Sequence, residues 1–138
     1  MAKKLSYEDF LKSFEFSPRL AIELLVINSC GELLLLKRES DPFDGMWHLP
    51  GGFLLKDESL DDCIQRLAKD ELEIEDFGKT EKLGLFETLE GDPRGHILHY
   101  VVRFKKDNSR KGKYFKELPK NTINYQISFL KKLDYSFK

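Results

Sequence analysis

A chain of 138 residues has the size of one ordinary domain, long enough to bury about two thirds of the surface its unfolded form exposes and too short for a second domain. Its 23 Lys and Arg stand against 24 Asp and Glu, so no net field steers it towards nucleic acid or a membrane surface, and any phosphate affinity must be local. The opening Met1-Ala2-Lys3-Lys4 carries no apolar run of signal-peptide length, and the most apolar tracts, 20–27 and 33–36, are far too short to span a bilayer, so a soluble protein is expected.

Tyr7 to Ser13 reads as a short helix, and Pro18 closes the lead-in before Arg19 to Ile27, whose aliphatic and β-branched residues predict a strand. Glu23 interrupts that apolar run, and alternation puts it on the opposite strand face from Ile22 and Leu24. Asn28-Ser29-Cys30-Gly31 is a turn, and Glu32 to Arg38 returns as a second strand, making a hairpin. Glu39 to Gly45 is a loop, and Met46 to Leu49 is a short strand that delivers the chain to a Gly51-Gly52 turn.

Ser59 then caps a helix running to about Leu72, with Asp62 at capping-box spacing. Leu60, Cys63, Ile64 and Leu67 fall on one core-facing stripe, and Glu71 falls in the middle of it. Burying an unpaired carboxylate costs several kcal/mol, so a cation is the expected partner of Glu71, with escape to solvent as the plain alternative. Asp62, Arg66 and Asp70, four residues apart in turn, also read as a surface ion-pair ladder.

Lys82 to Glu90 and His96 to Lys105 bracket the turn 91–95 as another hairpin-like pair. His96 and His99 have odd spacing, face opposite sides and make a two-His metal site from this strand implausible. The basic run Lys105 to Lys116 reads as a mobile loop rather than a nucleic-acid patch. Asn121 to Leu133 is expected as a helix covering the sheet, giving a mixed sheet between helices, an α/β fold. Cys30 in a turn and Cys63 on the helix stripe form no evident metal pair or disulfide framework, which points to a reducing, cytoplasmic setting.

Gly52, five residues, Glu58, seven residues and Arg66, followed by Asp70, Glu71 and Ile74, resemble the Nudix box, G-x5-E-x7-R-E-U-x-E-E-x-G-U with U aliphatic. Trp47 and Leu49-Pro50-Gly51-Gly52 are similar to the family's lead-in. The resemblance implies a single Nudix-type α/β/α sandwich with a mixed sheet over 1–138. It also implies a hydrolase that uses Mg²⁺, with Mn²⁺ as substitute, to cleave a nucleoside diphosphate linked to another group, such as a nucleotide sugar. Its site residues would be Glu58, Arg66, Asp70 and Glu71, with Asp70, Glu71 and the carbonyl of Gly51 or Gly52 on the metal and Arg66 paired structurally with Glu58.

Two positions depart from the box: Leu67 replaces the glutamate after the arginine, and Glu73 replaces the late glycine. The GDP-mannose mannosyl hydrolase branch shares the Arg-Leu pair, and likeness to it over about the first hundred residues implies substrate contacts from Arg38, Phe10 and Glu23. Phe10 reads equally as an anchor for the first helix, and Arg38 as an exposed strand-end charge. That branch attacks the sugar carbon with a late-loop His, whereas here Tyr125 or Gln126 occupies that neighbourhood, and attack at phosphorus is the expected route. Glu87, Glu90 and Asp92 are candidates for a late base, with solvated loop charges as the alternative. The competing reading is a catalytically weak module that binds a nucleotide or a protein partner. A homodimer is compatible with either; a membrane or nucleic acid is not the expected partner.

Overall fold

The computed structural model describes residues 2–133. The first helix, α1 (Tyr7–Ser13), starts where Ser6 Oγ accepts the Asp9 N–H at 3.1 Å, and none of its residues is buried. The strands β1 (Arg19–Ile27), β2 (Leu33–Lys37), β3 (Trp47–His48) and β4 (Gly51–Phe53) precede the helix α2 (Leu60–Leu72). After it come β5 (Glu81–Thr88), β6 (Ile97–Lys105), β7 (Lys113–Phe115) and α3 (Asn124–Lys132). The elements expected from sequence are present, their ends displaced by at most three residues, where caps and fraying decide the boundary.

The strand order is β3-β2-β1-β6-β5, with β4 also pairing β1 and β7 pairing β2. β1 runs parallel to β6 along its whole length, from Arg19 opposite Ile97 to Ile27 opposite Lys105. Its other edge is divided: Ala21, Ile22 and Glu23 pair with Phe53, Gly52 and Gly51 of β4, and Ile27 pairs with Leu33 of β2. The expected β1–β2 hairpin therefore survives only at its turn, because β4 takes the first half of that edge. The Gly51-Gly52 turn is correspondingly a strand, and the basic segment 105–116 is no featureless loop, since β7 lies antiparallel to β2.

Each sheet face carries its own core. Ile22, Leu24, Val26, Leu34, Val102 and Phe104 pack against Cys63, Ile64, Leu67, Ala68 and Leu72 of α2. On the other face Leu25, Leu33, Leu35, Leu49 and Val101 meet Phe129 and Leu130 of α3. The result is an α/β/α sandwich whose alternating β1 side chains serve two cores, and Glu23 is the polar exception on the α3 face. Among the described residues no helix is long and apolar enough to cross a membrane.

Candidate functional site

The segment from β4 into α2 is held by a side-chain lock. Arg66 Nε donates to Glu58 Oε2 at 2.7 Å and its Nη2 to Oε1 at 3.1 Å, while Nη2 also reaches the Phe53 carbonyl at 3.0 Å. Glu58 Oε1 further accepts the Leu55 N–H at 3.1 Å. The Arg66 contact dominates over burial and holds the Glu58 carboxyl below its ordinary range. Arg66 and Glu58 thus tie the loop after β4 to the helix; of the expected ladder only Asp70 comes near Arg66, at 3.9 Å.

Two close approaches explain the glycines. A Cβ on Gly52 would lie 2.7 Å from Leu67 Cδ2, and one on Gly51 would collide with the Ile22 carbonyl across the β1–β4 pair. Leu67, 2% exposed, is therefore driven in beneath the Gly52 backbone, where the box pattern has a carboxylate.

The expected burial of Glu71 on the apolar stripe is not what the helix adopts. The buried stripe is Cys63, Ile64, Leu67, Ala68 and Leu72, and Glu71, within the same arc, is nevertheless exposed. At 100° per residue Glu71 still falls within the arc these residues span, so its exposure is set by what covers that part of the helix and not by periodicity. Although open to solvent on one side, the Glu71 carboxyl is raised above its ordinary value, first by desolvation and next by the Asp70 charge, while Lys4, Arg66 and Arg38 oppose the rise. Asp70 is exposed and 3.4 Å from Lys4 Nζ. Among the described residues no three His, Cys, Asp or Glu side chains converge into a ready-made metal cage.

A small cleft of about 80 Å³ opens between β1, β4, the β5–β6 turn and α3, lined among others by Glu23, Arg38, His48, Arg94, Tyr125 and Gln126 with the backbone of Gly51 and Gly52. Glu23 is 6% exposed and sits in a polar chain. With Glu23 ionised, His99 Nδ1 donates to its Oε1 at 3.1 Å, and Thr88 Oγ1 donates to His99 Nε2 at 2.8 Å. Gln126 takes the Leu49 N–H on Oε1 at 2.6 Å and directs its amide to Glu23 Oε2 at 3.5 Å. Burial raises the Glu23 carboxyl, against the pull of His99 and Arg94. His48 donates from Nδ1 to the Leu49 carbonyl at 2.7 Å, and its pKa is pushed down to about 4, by burial first, so it is neutral at pH 7.

The expected substrate residues separate. Arg38 and Glu23 line the cleft, and Arg38 is steadied by a 3.2 Å bond from Nε to the Ser40 carbonyl. Phe10 does not line it: its ring packs 5.0 Å from Phe53, which does, and Arg19 lies over both rings, so Phe10 anchors α1 one layer behind. Of the histidines, His99 points inward, whereas His96 precedes β6 and bonds exposed Glu87 at 2.9 Å. Glu90 is exposed, as a solvated loop charge would be. Asp92 is no such charge: its side chain is fully buried against Arg94. Arg94 and His48 were missed as cleft residues; the sequence signal for Arg94 was only a charged pair, Asp92-x-Arg94, between two turn glycines.

The family model described as "NUDIX domain" matches residues 17–123. An ADP-ribose pyrophosphatase of Methanocaldococcus jannaschii is 31% identical over 102 residues, covering 72% of this chain and 59% of that protein. The low-salt glycan biosynthesis protein Agl8 of Haloferax volcanii is 43% identical over 63 residues, 46% of this chain and 40% of its own length. The chain thus spans about half the length of these curated relatives. Among solved structures, the NUDIX domain of Shewanella oneidensis NrtR, a cocrystal with ADP ribose, superposes with a TM-score of 0.69 at 17% identity, covering 94% of this chain and 97% of that one, a likeness of fold.

Proposed function

Because this chain belongs to the Nudix domain family, we propose that it is a metal-dependent hydrolase, acting as one domain over 1–138, that cleaves a nucleoside diphosphate linked to another group such as a sugar. The observation that carries the reading is the Glu58–Arg66 lock, which presents Asp70 and Glu71 at the end of α2, with Glu71 within electrostatic reach of Arg38. The pyrophosphatase relative supports a diphosphate as the bond cleaved, with ADP-ribose or a similar nucleotide sugar as ligand. Free Cys30 and Cys63 support a reducing, cytoplasmic setting.

The donor set consists of hard oxygen ligands, Glu71, Asp70 and a carbonyl of Gly51 or Gly52. Mg²⁺ keeps several waters and needs only one or two protein carboxylates when substrate phosphates complete its shell, so the absence of a three-carboxylate cage among the described residues fits an ion shared with the diphosphate. Such an ion would supply neutralisation and polarisation of the phosphoryl oxygens. Arg38 grips the diphosphate, and buried Leu67 leaves water activation to groups lining the cleft. Asp92 is committed to Arg94, so the carboxylate available there is Glu23, backed by His99 and Gln126.

The test is a screen over dinucleotides, nucleotide sugars and nucleoside triphosphates, each with and without Mg²⁺ or Mn²⁺, with products identified. Turnover in ¹⁸O-labelled water should put the label in the released phosphate, as attack at phosphorus requires; label in the sugar would overturn that route. A second reading, a weakly catalytic binding module, is favoured by Leu67 in place of the box glutamate. Tight binding of a nucleotide sugar with no metal-dependent product from any compound would select it.

A further inference from the structure

The turn 91–95 between β5 and β6 holds a buried charge pair that the reaction above does not use. Arg94 donates from Nε to Asp92 Oδ1 at 2.9 Å, from Nη2 to Oδ2 at 2.7 Å, and from its backbone N–H to Oδ1 at 2.9 Å. Tyr125 Oη adds a fourth hydrogen bond to Asp92 Oδ2 at 3.1 Å. Burial alone would raise the Asp92 carboxyl, but these contacts outweigh it and keep it ionised. The Asp92 side chain is 0% exposed and that of Arg94 15%. Pairs buried this deeply are often replaceable by apolar residues at no loss of stability, so stability is a weak reason for this one.

Position supplies a better reason. Arg94 lines the cleft with Gly51, Gly52 and His48, and its guanidinium lies 5.5 Å over the ring of Phe53, which Arg19 approaches at 5.6 Å. Asp92 fixes two nitrogens of the fork and offsets the cost of burying its charge, while a guanidinium carries five N–H donors in all. Arg38 lines the same cleft from the end of β2, so two cations on separate elements face one 80 Å³ space. Arg38 is held by the Ser40 carbonyl after β2, whereas Arg94 is held by Asp92 beside Tyr125 of α3, so the two cations reach the space from separate walls.

We propose that Arg94 is a second anion-binding residue of this cleft, a fork fixed by Asp92 and Tyr125 that receives phosphoryl oxygens on the α3 side while Arg38 receives others from the end of β2. The diphosphate as ligand rests on the functional reading above; the fork's place in the cleft does not. It gives the cleft a planar donor at a fixed angle where a lysine would present only a mobile point charge.

Calorimetric titration of the full chain with imidodiphosphate, and separately with inorganic phosphate, in the presence of Mg²⁺ tests it on the wild type, Arg94→Gln and Arg94→Lys. Arg94→Gln should weaken imidodiphosphate binding about tenfold to a hundredfold, the range for a lost charge-assisted hydrogen bond. Arg94→Lys, which keeps the charge but loses the fork, should recover only part of that loss. An equal loss for inorganic phosphate supports a single phosphoryl group as the ligand, and a loss confined to imidodiphosphate supports the diphosphate bridge. Binding within twofold of wild type in the folded Gln variant would reduce Arg94 to a structural pin, as would a wild type that binds neither anion, and full wild-type binding in the Lys variant would refute the fork. Because binding is read without turnover, a chain that holds the analogue through Arg94 yet hydrolyses nothing refutes the reaction and leaves the inference standing.

Discussion

The contact between Gly52 and Leu67 makes a quantitative prediction about how the two box residues depend on each other. Leu67 is 2% exposed within the α2 core, so Leu67→Ala should cost about 2–5 kcal/mol, the transfer term plus the cavity it leaves. Gly52→Ala inserts a methyl 2.7 Å from Leu67 Cδ2, an overpacking that should cost about 1–3 kcal/mol. Gly52 is not among the residues with positive φ, so no backbone strain adds to this. In the double variant the obstructing Cδ2 is gone and the new methyl fills part of the cavity. The combined cost should therefore fall below the sum of the two by about 1 kcal/mol or more, the coupling expected of residues in direct contact. Urea unfolding of the four proteins gives this directly, provided the slopes with denaturant agree. Additivity within about 0.5 kcal/mol would show that Leu67 does not sit under Gly52, and the account of the apolar box position would fall with it.

Glu71→Gln should lower metal-dependent turnover by about a hundredfold or more with an unchanged melting temperature, because the lost metal ligand removes several kcal/mol of charge stabilisation; wild-type rates in that variant would remove Glu71 from the metal site. Arg38→Ala should weaken a non-hydrolysable diphosphate analogue by about 1.5–3 kcal/mol, and equal calorimetric affinities would return Arg38 to an ordinary strand-end charge. The Glu58 carboxyl is depressed in the folded state, so its contribution is fully present above the unfolded carboxyl range and is lost as pH falls through the lower folded value. Glu58→Gln should be less stable than wild type by about 3 kcal/mol at pH 7, with the gap closing on acidification below about pH 4; a pH-independent difference in urea midpoint would assign the loss to packing instead.

What could be read in the chain was local in origin. The α2 start follows from Ser59 and Asp62, its buried stripe from 100° periodicity, and the Arg66–Glu58 partnership from a motif whose spacing places both on one loop-and-helix unit. The strand at Arg19–Ile27 and the opposite facing of Glu23 needed only a period of two. The interruption of the apolar run at Glu23 marked a polar site without naming its partners.

The partners were decided by pairing between segments far apart in sequence. The parallel register of β1 with β6 sets Ala21 opposite His99 and Glu23 opposite Val101, which brings His99 to the Glu23 carboxylate across 76 residues. Antiparallel pairing of β4 with β1 lays Gly51 against Glu23, and α3 then lowers Gln126 and Tyr125 onto the same spot. Asp92, which looks like a loop charge in sequence, is buried because Arg94 and Tyr125 surround it. Periodicity reports which face of its own element a residue occupies. Which other face meets it depends on the balance of hydrophobic burial and backbone pairing over the whole chain, and that balance exists only in the folded sheet.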